Sequence, residues 1–118
     1  MGDVVRFPGI AEEVGRENAE VVKTLVYEHS PQAFGWTALE ANVIRAIAAK
    51  SDDGGEWRTL NSGEIAKEAM SPSHDVVGRA ISKAALIGVI EVRDRKPGSQ
   101  YFKVRFRRSA LLREVGEL

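Results

Sequence analysis

The chain contains no cysteine, only two histidines and no long apolar run. The absence of cysteine excludes disulfides, thiolate zinc sites and cysteine nucleophiles, and it fits a reducing compartment. His29 and His74 lie far apart and lack the spacing of metal ligands. Because no run of about 18 apolar residues occurs, we expect no transmembrane helix. The N-terminus lacks an apolar run with a cleavage site, so we expect no secretory signal and a cytoplasmic location.

Motifs that would indicate catalysis are also missing from the sequence. Gly54 and Gly55 form a lone pair rather than a glycine-rich phosphate loop, and no serine lies in a nucleophile elbow. No cluster of acidic, metal-ligating or aromatic residues indicates a small-molecule effector. We therefore expect a binding protein rather than an enzyme, with no cofactor and no metal.

Charge is balanced overall but unevenly distributed along the 118 residues, a length typical of one domain. Residues 1–70 contain seven Lys and Arg against twelve Asp and Glu, whereas residues 71–108 contain nine against three. A basic segment beside an acidic one indicates a polyanionic partner for one face of the protein. A short segment can also be basic by chance. Charge alone therefore does not distinguish a polyanion-binding face from an ordinary surface, and the pattern of apolar residues is needed as well.

Apolar residues at helical spacing predict helices over residues 9–29, from Thr37 and from Asn61. A fourth helix is predicted to have Pro72 in its first turn, where the missing amide is no loss. Thr37 and Glu40 have the spacing of a capping box, and Asn61 repeats the capping pattern. The predicted buried positions of these helices and of the strands that follow are Leu39, Val43, Ile47, Ile65, Val77, Ile81, Ile90, Phe102 and Val104.

The pattern changes to that of strands near the C-terminus. Residues 57–60 suit a short strand, and residues 89–93 alternate weakly. From residue 100 the alternation is clean, with Phe102, Val104 and Phe106 on one face and basic residues on the other. This pattern predicts a two-stranded hairpin with one buried and one cationic face. A last short helix is predicted after Ser109.

The order of these elements resembles that of bacterial winged helix-turn-helix DNA-binding domains. Residues 62–69 resemble the first helix of the motif, residues 71–73 the turn, residues 76–81 the recognition helix and residues 88–90 the start of the wing. MarR-type and GntR-type regulators and the winged domains of phage and plasmid replication proteins share this pattern. Ala84 departs from it, because the family usually has a large leucine there.

The resemblance implies a mainly α fold with a small β-hairpin, of the α+β class. It implies three regions: an N-terminal helix and linker over residues 1–36, a winged helix over 37–108 and a short tail over 109–118. Such a domain places its recognition helix in the major groove of duplex DNA, while the wing contacts the backbone or a neighbouring minor groove. The residues expected to contact DNA are Ser73, His74, Arg79, Lys83, Arg95, Lys96, Lys103 and Arg105.

The residues expected to contact DNA also fit roles that involve no ligand. Arg79 and Asp75, four positions apart, are spaced for a surface ion pair, and His74 fits a solvated helix start. The cationic strand face is equally typical of a plain solvated sheet. Trp36 and Trp57 are expected in the core rather than as stacking platforms.

We expect the chain to be a small transcriptional regulator, acting as a repressor and as a homodimer. The alternatives are a winged domain of a phage or plasmid replication or partition system, and a winged helix that binds protein. In one register of residues 9–29, Asn18 takes an a position of a short coiled coil, and an asparagine there favours two strands. The alternative is that this helix packs on its own domain.

Overall fold

A computed structural model describes residues 8–25, 34–52, 56–70, 73–114 and 116. Within these ranges the chain has five helices and three strands, so it is of the mixed α+β class, as the sequence predicts. No helix in these ranges combines the length and the apolarity needed to cross a membrane. The elements are α1 (Pro8–Lys23), α2 (Ala38–Ala49), β1 (Arg58–Asn61), α3 (Ser62–Glu68), α4 (His74–Leu86), β2 (Ile90–Arg93), β3 (Tyr101–Phe106) and α5 (Arg108–Glu114).

The three strands form one antiparallel sheet in the order β1-β3-β2. Leu60 of β1 lies opposite Phe102 of β3, and Val92 of β2 lies opposite Val104. The predicted two-stranded hairpin is therefore incomplete, because β1 adds a third strand along the other edge of β3. A strand of four residues is too short for alternation to reveal its pairing partner.

Side-chain caps start α2 and α3 where the sequence predicts. Thr37 Oγ accepts a hydrogen bond from the Glu40 amide at 3.2 Å, and Glu40 Oε1 accepts one from the Thr37 amide at 2.9 Å. This reciprocal pair confirms the capping box of α2. Asn61 Oδ1 accepts from the amides of Gly63 and Glu64 and caps α3. Ser73 Oγ accepts from the Val76 amide at 3.3 Å and caps α4, which therefore begins at His74 and after the predicted start. Pro72 itself lies outside the described residues.

One hydrophobic core joins the inner face of the sheet to the helices, and it includes Val22 of α1 and Leu111 of α5. Eight of the nine predicted core residues are buried. Leu39 is the exception, since 44% of it is exposed. The prediction for Leu39 is wrong because the first turn of α2 directs the next residue, Glu40, into the protein instead.

Helix α1 packs on α2 of the same chain. Asn18 is fully buried, and its Nδ2 donates a hydrogen bond to the Ser51 carbonyl at 3.1 Å. Leu25 follows Asn18 by seven residues, so it takes the next a position of the same register, and it is also buried in the core. The assignment of Asn18 to a seam between two copies is therefore wrong, and the alternative of packing on its own domain is correct. The predicted helix ends at Lys23 as an α-helix, and its positions 26–29 lie outside the described residues.

Candidate functional site

Helix α4 presents one exposed face because its other face is held in the core. Val77, Ala80, Ile81 and Ala84 are buried at helical spacing. The N-cap Ser73 and the first helical residue, His74, are exposed, and 63% of the Arg79 side chain is exposed. Three of the predicted site residues thus lie together along the N-terminal half of this helix.

The loop between β2 and β3 lies beside α4. Arg95 Nη1 lies 3.5 Å from the Ser82 hydroxyl oxygen and donates a long hydrogen bond to it. A Cβ added to Gly78 would lie 3.2 Å from Arg95 Nη2, so the missing side chain of Gly78 leaves room for this guanidinium. Arg95 and Lys96 also line a cleft of about 500 Å³ against His74. We give the name α4–loop surface to the exposed residues of this half of α4 and of the adjoining loop, namely Ser73, His74, Arg79, Arg95 and Lys96.

Lys83, a further predicted site residue, already forms polar contacts within the chain. Its Nζ donates to Glu40 Oε1 at 2.9 Å and to the Gly35 carbonyl at 3.0 Å. Lys83 therefore fastens the last turn of α4 to the start of α2. Its ammonium group has two acceptors before any ligand arrives.

Arg79 faces the same carboxylate. Its Nε lies 3.5 Å from Glu40 Oε2, so its ionic partner is Glu40 rather than Asp75, the partner that sequence spacing indicates. Only 2% of the Glu40 side chain is exposed. The sequence pattern indicates only a capping role for Glu40, because its contact with Lys83, 43 residues away, forms only in the tertiary structure.

The electrostatic environment keeps Glu40 ionised. Burial alone raises the pKa of this carboxyl group, because a charge is poorly solvated in the interior. The hydrogen bonds from Lys83 and the Thr37 amide, together with the charges of Lys83 and Arg79, outweigh burial. The net result is a pKa below the ordinary value of 4.5. Glu40 is therefore a fixed negative charge behind α4.

Lys103 and Arg105 do not lie on the α4–loop surface. They alternate with the buried residues of β3 and therefore point to the outer face of the sheet. Arg105 Nε and Nη2 donate to the two carboxylate oxygens of Glu91 at 3.2 and 3.0 Å, and Lys103 Nζ lies 3.8 Å from Asp94. Hydrogen bonds from Arg105 and Arg107 lower the pKa of Glu91. Acidic neighbours thus neutralise much of this cationic face.

The two tryptophans differ from each other in position. Trp36 is buried in the core, as the sequence predicts. Trp57 is only half-buried, and the guanidinium carbons of Arg93 and Arg105 lie 4.5 and 4.7 Å from its ring centre. Such cation–π contacts stabilise the packing of strands, so the expectation that Trp57 is a core residue is wrong. It links the two outer strands across β3 instead.

No group of His, Asp or Glu within the described ranges is arranged to hold a metal ion. Comparison with known proteins gives no family: no family model matches the chain, and neither the curated proteins nor the solved structures contain a significant match. The assignment of a function therefore depends on the geometry of the chain's own residues.

Proposed function

We propose that the chain is a winged helix-turn-helix protein that binds duplex DNA sequence-specifically through the α4–loop surface. In this proposal α3 and α4 form the helix-turn-helix, and α4 is the recognition helix. Strands β2 and β3 with their loop form the wing. The observation that carries the proposal is the position of Arg95, whose guanidinium lies beside Gly78 and Ser82 of α4. That contact makes the basic loop and the exposed helix face a single surface.

An exposed helix face of this kind suits the major groove of duplex DNA. The major groove admits one α-helix, and side chains near the N-terminus of that helix reach the base edges. Ser73, His74 and Arg79 occupy this part of α4. Arginine donates two hydrogen bonds to guanine, which makes Arg79 the strongest candidate for base reading. In the proposed complex Arg95 and Lys96 contact phosphates, and such contacts fix a protein's position on the duplex.

The basic side chains differ in whether they already have an acidic partner, and this difference affects how much each would gain from contacting DNA. Lys96 is exposed and forms no ion pair within the described ranges. Arg105 and Lys103 must give up Glu91 or Asp94 before they neutralise a phosphate, which costs part of the energy they would gain. We therefore propose Arg95 and Lys96 as the main phosphate contacts and the outer sheet face as a minor contributor. The proposed biological role is that of a small transcriptional repressor, which acts by occupying its site.

Selection of bound duplexes from random DNA tests the proposal directly. We expect enrichment of one motif and an affinity that falls steeply with salt, because each neutralised phosphate releases counterions. Arg95→Ala and Lys96→Ala should weaken binding to all duplexes alike. The matched controls are Arg113→Ala on α5 and Lys23→Ala on α1, which remove the same charges from exposed positions elsewhere. Equal effects of site and control variants would contradict the proposal, as would the absence of any enriched motif.

We also propose that two copies bind together, since a single winged helix reads only a few base pairs. The face of α1 that carries Asn18 is used within the chain, so the contact between copies requires another surface. Light scattering of the full chain at micromolar concentration tests the assembly. Removal of residues 1–33 is unsuitable, because it deletes Val22 and Leu25 from the core. A monomer that selects motifs without two-fold symmetry would contradict this proposal.

A further inference from the structure

We infer that Glu40 is a positioning residue that orients Arg79 for base recognition, an inference that rests on the proposed function. Glu40 belongs to α2 and lies outside the α4–loop surface. Its Oε2 nevertheless lies 3.5 Å from Arg79 Nε on α4. The contact therefore joins a buried anion behind the recognition helix to the single arginine of that helix.

The Glu40 carboxylate is a rigid anchor. Its Oε1 accepts hydrogen bonds from the Thr37 amide at 2.9 Å and from Lys83 Nζ at 2.9 Å. Lys83 is itself fixed by the Gly35 carbonyl at 3.0 Å. Oε2 is the oxygen that faces Arg79, so capping and tethering use one oxygen while the arginine uses the other. A carboxylate held in this way cannot follow the arginine, and the arginine is aligned to it.

Arg79 benefits from such an anchor because its side chain is long and 63% exposed. A free arginine loses side-chain entropy when a base fixes it, and a side chain already fixed in the bound geometry loses less. The contact with Glu40 uses Nε, so the terminal amino groups are not needed for it. Those amino groups form the fork that matches the two acceptors of guanine.

A positioning role predicts an effect on discrimination rather than on overall affinity. The negative charge of Glu40 opposes phosphates, so it contributes nothing favourable to sequence-independent binding. When that charge is removed, Arg79 is no longer directed to one base pair, but it still attracts DNA. Glu40 therefore increases the preference for one base and slightly decreases the affinity for unrelated DNA.

The test compares the wild type, Glu40→Gln, Arg79→Ala and the double variant. The ligands are the duplex selected by the wild type, a set with each base pair changed singly, and an unrelated duplex. We expect Glu40→Gln to reduce the preference at one base pair about tenfold, on the scale of one good base contact. Affinity for the unrelated duplex should be equal or higher. Arg79→Ala should lose the preference at the same base pair, and the double variant should lose no more.

A second variant separates positioning from folding. Glu40→Gln leaves Lys83 without its carboxylate, so circular dichroism and thermal unfolding must show that the variant is folded. Glu40→Gln with Lys83→Gln replaces the ion pair by two neutral amides, and we expect the same loss of preference from it. A general folding defect would weaken binding to the selected and unrelated duplexes in proportion.

Three outcomes overturn the inference. The first is full discrimination by a folded Glu40→Gln protein. The second is a loss spread over many base pairs, and the third is a loss that persists in the Arg79→Ala background. Absence of any sequence preference in the wild type is a different failure, because it removes the proposed function and this inference with it.

Discussion

A Cβ added to Gly15 would lie only 2.0 Å from the carbonyl oxygen of Ala49. The backbones of α1 and α2 are therefore in direct contact at this point, and no other residue type fits without separating the two helices. The same approach brings Asn18, one turn along α1, within 3.1 Å of the Ser51 carbonyl.

Gly15→Ala should destabilise the protein. Alanine is the better helix former, but the clash is with backbone and cannot be relieved by a side-chain rotation. We expect the free energy of unfolding to fall by about 1–3 kcal/mol, the usual cost of overfilling a packed interface. Urea denaturation followed by circular dichroism measures this change. Unchanged stability would mean that α1 is not packed on α2 as described.

Gly78→Ala should have the opposite effect on stability. Gly78 lies inside α4, and the atom nearest to an added Cβ is the flexible end of Arg95 at 3.2 Å. We expect stability to rise by about 0.5–1 kcal/mol, because alanine replaces glycine in a helix interior. The displaced Arg95 should weaken duplex binding severalfold. A stabilised variant with unchanged affinity would show that Arg95 does not act from this position.

Acid should remove the stability that Glu40 contributes. Its pKa is lower in the folded protein than in the unfolded chain, so its contribution is fully present above the unfolded value of 4.5. The contribution is lost as the pH falls through the lower folded pKa. We expect the difference in unfolding free energy between wild type and Glu40→Gln to shrink as the pH is lowered below 4.5. A difference that stays constant through this range would contradict the ionic role of Glu40.

Arg105→Ala should affect the fold more than DNA binding. The variant loses three hydrogen bonds to Glu91 and one of the two guanidinium contacts with Trp57. We expect lower thermal stability and a nearly unchanged dependence of affinity on salt. Arg95→Ala is the comparison, and it should reduce the salt slope by about 1. A salt slope reduced by about 1 in Arg105→Ala as well would indicate that the outer sheet face contacts DNA.

Short-range patterns were sufficient to predict much of this fold. The alternation of Phe102, Val104 and Phe106 indicates their buried face, and the capping box of α2 is confirmed atom by atom. Both signals involve neighbours along the chain, which the sequence displays directly. Trp57 shows the opposite case, since its two arginine contacts depend on how three strands are ordered.

Long-range contacts explain what the sequence did not predict. Glu40 is charged and follows Leu39, so helical periodicity favoured Leu39 as the buried residue, yet a lysine 43 positions away makes burial of the carboxylate favourable. The heptad spacing around Asn18 is equally consistent with packing on another chain or on the same one. The close approach of Gly15 to Ala49 distinguishes them, because it packs α1 on α2 of the same chain.

The pairing of β1 with β3 has a consequence for the time course of folding. This pairing closes a loop that contains α3, α4 and β2, and closure of a long loop is entropically costly. The β2–β3 hairpin closes a much shorter loop, so we expect it to form first and β1 to join late. Strand β3, which follows the loop that carries Arg95 and Lys96, is paired on both edges only after that last step. We therefore expect the proposed DNA-binding surface to be incomplete in a chain still emerging from the ribosome.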